Sequence, residues 1–344
     1  MHVLLLPFLL AAAQALTALR PDAADSAVGT VWTFDNLTWI ENLAVRQNGE
    51  IICSSLNRAA LYLVNPFAHK AFLIHQFEAT DGALGIAEVQ NDVFVVVTAN
   101  ISTATTTVWP GSAKIWRVNM TAYALVRTLI GMKDLELTQL MQQSEPIVSL
   151  IADLEDVGLP DGVVKTTSES GLVLVSDASK GIVWAVDANS GGYNVAIQDS
   201  AFNITNTLIP IGVDGVKIAN DQLYFTNLAS GAVGRVPLTT DSTAAGPISV
   251  LANLTDPDDL AVRCDGKLYV VGDNTLWLVD DSGAKVLAGG PNHLTLEGAT
   301  AAQFGRTAMD SNVLYITTNG GLLAPVDGVI TGGKILAVNV ETLL

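Results

Sequence analysis

The chain has 344 residues, 49% of them hydrophobic and 15% charged, and its 34 acidic against 17 basic residues leave a net charge of −17. So acidic a surface repels nucleic acid and anionic lipid, and no Lys/Arg-rich patch or basic amphipathic helix offsets it, which excludes partners of those kinds. Two cysteines, Cys53 and Cys264, are too few for a small disulfide scaffold and are read as two buried thiols rather than as a bridge.

The chain opens MHVLLLPFLLAAAQA, with an apolar run from Val3 to Ala13 and a small-x-small Ala13-Gln14-Ala15 sequence. The run is too short to span a bilayer and no basic stop-transfer cluster follows, so residues 1–15 read as a signal peptide and residues 16–344 as one domain. The expected destination is the secretory lumen or the cell exterior, with no membrane span. Sequons at Asn36, Asn100, Asn119, Asn203 and Asn253 agree with that route and are expected to carry N-glycans.

From residue 41 onward one phrase repeats: an acidic residue, a short apolar run, a polar turn, a second β-rich run, and a third strand ending in Val-Asp or Val-Asn. It starts at Glu41 (ENLAV), Asp81 (DGALGIAEV), Pro160 (PDGVV), Val213 (VDGVK), Pro257 (PDDLAV) and Glu297 (EGATAA). Short strands bounded by Gly, Asn, Asp and Ser at a period of about 40 to 53 residues, apart from a longer gap between the second and third repeats, predict an all-β, six-bladed propeller. The last repeat stops after its third strand. Gly29–Phe34, which alternates as a strand should, is expected to supply the missing outer strand and close the ring. Two insertions interrupt the pattern: a Thr-rich loop over residues 100–112, and residues 131–158. In the second, Leu137, Leu140 and Met141, then Val148, Ile151 and Leu154, approximate helical spacing around Pro146. That segment is read either as a packed strut or as a lid over one end of the axis.

Innermost strands line the axis of a propeller, so equivalent positions converge on one opening. The phrase-starting acids are therefore candidates for a carboxylate ring: Glu41, Asp81, Asp161, Asp214, Asp258 and Glu297. Asp81, Asp161, Asp214 and Glu297 precede glycine, read as a means of turning tightly into the strand. Crowded carboxylates either keep a proton or need a cation. They can thus serve as general acids and bases, or hold Ca²⁺, Mg²⁺ or Mn²⁺. Ordinary repeated turn chemistry is the competing reading for each residue alone. Trp39, beside Glu41, is a candidate pocket wall or a core residue. His69, His75 and His293 start no inner strand, and no serine-hydrolase elbow, zinc-protease motif or phosphate loop occurs.

The ENLAV, PDGVV, VDGVK and PDDLAV strands, with FGR, VLYITTNGG and GGKILAV near the end, resemble the gluconolactonase/regucalcin-like propellers. That superfamily also takes in strictosidine-synthase-like proteins, and the resemblance spans essentially the whole mature chain. In its hydrolytic members a Glu, an Asn and an Asp hold a divalent metal (Ca, Mg, Mn or Zn), and by blade order these fall on Glu41, Asp214 and Asp258. Asp214 departs from the expected Asn, and Pro160 stands where a substrate-binding Asn is expected. The closing blade and leader look most like fungal members, a branch that includes hetero-Diels–Alderases, which join a quinone methide to a terpene alkene without a metal cofactor.

The resemblance thus implies a small-molecule synthase acting on apolar organic substrates, with Glu41, Asp161, Asp214 and Asp258 as acid, base or orienting groups, and Trp39, Asp81 and Glu297 around the pocket. The alternatives are a metal-dependent lactonase or esterase and a propeller that binds without catalysis.

Overall fold

A computed structural model describes residues 27–35, 37–103, 107–121, 123, 146–168 and 171–344. Six four-stranded antiparallel sheets follow one another around an axis. The innermost strands are Ile40–Val45, Gly82–Gln90, Pro160–Lys165, Val213–Ala219, Pro257–Val262 and Ala299–Phe304, and each touches the next until the sixth meets the first. Every residue of Ile40–Val45 is buried, as a strand enclosed on both faces must be. Outer strands such as Tyr193–Gln198 and Ser249–Asn253 carry exposed residues among half-buried ones.

The core lies between blades. Ala44, Ile52, Leu61 and Leu63 of blade one, for example, pack on Ile86, Phe94 and Val96 of blade two. Each large apolar side chain removed from water in this way contributes roughly 1.5–3 kcal/mol, which offsets the entropy of ordering the strands.

Ring closure follows the sequence expectation. Val28–Thr33 pairs antiparallel with Lys334–Asn339 as the outer strand of blade six, Val28 opposite Val338 and Thr33 opposite Lys334. The Phe34 N–H then donates to the Gly333 carbonyl at 2.9 Å, extending the pairing to the strand's end. An otherwise unpaired edge is covered.

The second insertion requires correction. Ile147–Asp153 is the outer strand of blade two, paired with Lys114–Asn119 from Asn119↔Ile147 to Lys114↔Asp153. Val148 and Ile151, read at helical spacing, are therefore strand residues. Leu154 is buried in the turn that follows, its N–H donating to the Ala113 carbonyl at 2.8 Å. The rest of that expectation, Leu137, Leu140 and Met141 included, lies outside the described residues. Within the Thr-rich loop, Ile101–Ser102 and Thr107–Val108 pair as a small ribbon.

Candidate functional site

Each inner strand carries a register irregularity near its start: at Ile40/Asn42, Ala83/Ile86, Pro160/Val163, Val213/Val216, Pro257/Asp259 and Ala299/Ala301. Bulges re-aim side chains, and here they place one residue per blade at the mouth of the axis. Hydroxyls of second strands join the blades at this level. Thr317 donates to the Glu41 carbonyl at 3.4 Å, and Ser54 to Leu84 and Ser176 to Asp214 at 2.5 Å each. Thr226 donates likewise to the Asp258 carbonyl.

By this register the mouth positions are Glu41, Leu84, Asp161, Asp214, Asp258 and Thr300. Four predicted acids hold their places and two do not. Asp81 is exposed, its N–H donating to Asn100 Oδ1 at 3.2 Å, and Leu84 takes the position assigned to it. Glu297 is fully buried behind the mouth, where its Oε1 accepts the Val326 N–H at 3.0 Å, and Thr300 takes its place. In both blades the acid belongs to the incoming turn rather than to the bulge.

The glycines after Asp161 and Asp214 also need a different explanation, since neither has positive φ. A Cβ on Gly162 would lie 2.7 Å from the Asp214 carbonyl, and one on Gly215 would lie 2.6 Å from the Asp259 Cα. They admit the next blade's backbone to the crowded axis.

The four acids form one electrostatic set. Glu41, Asp161 and Asp214 are buried, while Asp258 is partly open. Burial raises the Glu41 carboxyl well above its usual value and the Asp161 charge adds to this, against the opposing hydrogen bond from Trp39 Nε1 to Glu41 Oε2. Asp214 is raised well above its usual value by burial, then by Asp161 and Asp258. Asp258 is raised in the same sense by burial, then by Glu41 and Asp161. Asp161 is raised to about 6, mainly by burial, with a hydrogen bond from Asp214 opposing. That bond lowers Asp161 and raises Asp214, the pattern of a protonated Asp214 donating to an ionised Asp161. Such a group titrates as a unit and holds protons at pH values where a solvated carboxylate has lost them.

Sequence reading missed the charges beneath the ring. Lys217 Nζ grips Asp259 at 2.6 and 2.8 Å, and its charge draws Asp161 and Asp258 downward. The signal was present in VDGVK and PDDLAV, three and one residues respectively beyond the acids singled out.

Asp258 opens onto a cavity of about 370 Å³. Its walls include Leu208, Ile209, Leu228 and Leu323, and its floor includes Asp256, Asp273 and Asn274. Apolar walls with a few convergent polar groups are the usual composition of a small-molecule site. Trp39 is buried in the core cluster that also holds Leu56, Leu84 and Leu159, and it meets the site through Glu41 rather than as a cavity wall.

Under the hydrolytic alternative Glu41, Asp214 and Asp258 would hold the divalent ion, and two of the three already take part in hydrogen bonds. Glu41 is bonded to Trp39 and Asp214 to Asp161. Among the described residues, no three His, Cys, Asp or Glu side chains converge as a metal centre requires.

The remaining candidates lie elsewhere. His69 Nδ1 is 3.1 Å from the Val31 carbonyl and His75 packs edge-on against Phe77, both on the outer side of blade one. Cys53 is buried, as expected, but Cys264 is exposed, and both are free thiols. Asn203 and Asn253 are exposed, whereas Asn100 and Asn119 are half-buried. Asn36 lies outside the described residues. Among those residues no helix is long and apolar enough to cross a membrane.

No family model matches the chain. In sequence it is 27% identical over 315 residues to a Phoma protein assigned as a hetero-Diels–Alderase, covering 83% of this chain and 84% of that one. It is 26% identical over 335 residues to a Sarocladium schorii protein with the same assignment, covering 86% and 79%. In fold it is similar to the calcium-binding protein regucalcin of Agrobacterium tumefaciens, with a TM-score of 0.60 and 13% identity over 91% of this chain and 95% of the other. A gluconolactonase from Xanthomonas campestris superposes with a TM-score of 0.57 at 13% identity, covering 92% of each chain. The chain is a six-bladed propeller of the gluconolactonase and regucalcin shape, and its sequence relatives are fungal proteins carrying the hetero-Diels–Alderase name.

Proposed function

We propose that the chain is a hetero-Diels–Alderase-like synthase of the secretory pathway: it removes water from an oxygenated aromatic or tropolone-type alcohol and adds the resulting quinone methide to an alkene. One observation carries this reading. Asp258, pushed toward its protonated form by burial and then by the Glu41, Asp161 and Asp259 carboxyls, opens onto an apolar-walled cavity. A carboxylic acid whose protonated form is favoured in this way is suited to general-acid work.

Asp258 would give its proton to the departing hydroxyl, the carbon–oxygen bond would break, and water would leave. The ring hydroxyl of the same substrate would return a proton to the Asp258 carboxylate, so loss of one water balances the step. Cycloaddition then forms one carbon–carbon and one carbon–oxygen bond with no proton transfer. For that step the chain's contribution is to hold two partners in register, a contribution of up to about 7–11 kcal/mol in well-oriented systems. Glu41, Asp161 and Asp259 act through Asp258 by favouring its protonated form, on top of its burial. The lumenal setting rests on the leader and on the exposed sequons Asn203 and Asn253.

Asp258→Asn tests the reading with a tropolone-type alcohol and a terpene alkene as substrates. Turnover is expected to fall about 100- to 10,000-fold, while a chelator leaves the wild-type rate intact. An undiminished rate in the variant contradicts the proposal. A rate abolished by the chelator, together with metal-stimulated opening of a lactone panel, supports the hydrolase alternative instead.

A further inference from the structure

The strap joining blade three to blade four divides the mouth. It carries Ile204, Leu208, Ile209, Pro210 and Ile211, and both its ends are fastened. Asn227 Nδ2 donates to the carbonyls of Ala201 at 2.9 Å and Asn203 at 3.0 Å. At the other end the Gly212 N–H donates to Ala178 at 2.6 Å and the Ala229 N–H to Ile211 at 2.8 Å. Leu208, between the clamps, is 90% exposed.

One flank of the strap is the wall of the acidic cavity. The other flank borders a second cavity of about 460 Å³, between the strap, the ribbon of blade two and the start of blade three. Pro210 lines both cavities. It is exposed, so the two open beside each other over a single residue.

Their linings differ in kind. The first has the carboxyls of Asp256, Asp258 and Asp273. The second is walled by Val108, Pro110 and Ile204 over a base of Val157 and Leu159, which are 1% and 5% exposed. Its charged lining residues are Glu155 and Lys180, both exposed, with the Lys180 ammonium turned to the Asp156 carbonyl at 2.5 Å.

We propose that this second cavity is the subsite of the alkene reactant, a terpene-like hydrocarbon. The inference rests on the function proposed above and goes beyond it by giving the two reactants separate places. The oxygenated partner must reach Asp258 and so belongs in the acidic cavity. A hydrocarbon has no polar atom for that floor, and placing it there would cost the carboxyls their hydration without return. In the second cavity it covers the apolar surface that Val108, Pro110 and Ile204 still expose and loses its own contact with water. Two reactants seated on either side of Pro210 meet above it, with encounter replaced by fixed proximity.

Ile204→Trp and Val108→Trp fill the second cavity from opposite walls. Both positions are half-buried, so each substitution extends into open space rather than into the core. Three quantities are read on the full chain: water loss from the oxygenated substrate alone, adduct formation against alkene concentration, and calorimetric binding of β-caryophyllene as a hydrocarbon probe. Water loss is expected to stay within about twofold of wild type, while the KM for the alkene rises at least about tenfold and probe affinity falls by a similar factor. Unchanged alkene KM and unchanged probe affinity in both variants overturn the proposal. If the wild-type chain removes no water from any such alcohol, the proposed function fails, and the probe decides the subsite separately. Binding lost in the two variants sustains a hydrocarbon site, and absence of binding to the wild-type chain rejects it.

Discussion

The two ends of the axis treat their acids in opposite ways. At the end away from the mouth, Arg46 is 2% exposed and grips Asp92 through Nε at 2.8 Å and Nη2 at 2.6 Å, while its Nη1 meets Glu50 at 2.5 Å. Arg306 there pairs with Glu88 and donates to the Val45 carbonyl at 3.0 Å. Every one of these acids faces a guanidinium. At the mouth, Glu41, Asp161, Asp214 and Asp258 face one another, and Asp214 Oδ1 is buried with no hydrogen-bond partner. Lys217 lies below them, already held by Asp259. The same repeat thus builds a fastening at one end and an electrostatically frustrated site at the other. Uncompensated burial of this kind lowers stability and is retained where chemistry uses it.

Removing the fastening should have the larger effect on stability. Arg46→Met takes the cation away from Glu50 and Asp92, and a buried pair broken from one side costs about 3–5 kcal/mol. Denaturant unfolding should report that loss, with turnover per folded molecule unchanged because the mouth is untouched. Equal losses in stability and in catalytic rate would break the division between the ends.

The mouth should show the opposite sign. A carboxyl whose folded pKa is raised binds its proton more tightly in the native state, so it favours folding most below its unfolded pKa of about 3.9. That advantage is lost as pH rises through the folded value, about 6 for Asp161. Stability should therefore decline between about pH 4 and 6, and Asp161→Asn should flatten the decline by on the order of 2–3 kcal/mol. Melting temperatures across that range check it. A profile that is flat in the wild-type chain, or identical in the variant, would remove the contrast.

Much of this architecture is legible in the sequence because a repeat states it six times. The blade count follows from the recurring phrase, and the truncated last repeat left Gly29–Phe34 as the one strand without a partner. The ring was only partly legible. An acid before glycine marks a turn as readily as a mouth position, and the bulge that separates the two is a matter of register. Asp81 and Glu297 look like Asp161 in sequence, yet the ladder puts Leu84 and Thr300 at the mouth.

The outer strand of blade two was misread for a different reason. An outermost strand has one covered face, and Ile147–Asp153 mixes exposed and half-buried apolar residues without strict alternation. The cavities were not legible at all. The walls of the acidic cavity come from the strap around Leu208 and the loop around Leu323, far apart in the chain and brought together only by the closed ring.

The most direct test is infrared difference spectroscopy of the carboxyl groups at pH 7, comparing the wild-type chain with Asp258→Asn and Asp214→Asn. A protonated-carboxyl band in the wild-type protein, reduced in both variants, is the predicted result and would show that the mouth stores the proton the reaction needs. A wild-type spectrum with every carboxyl ionised at that pH would contradict the account at its centre.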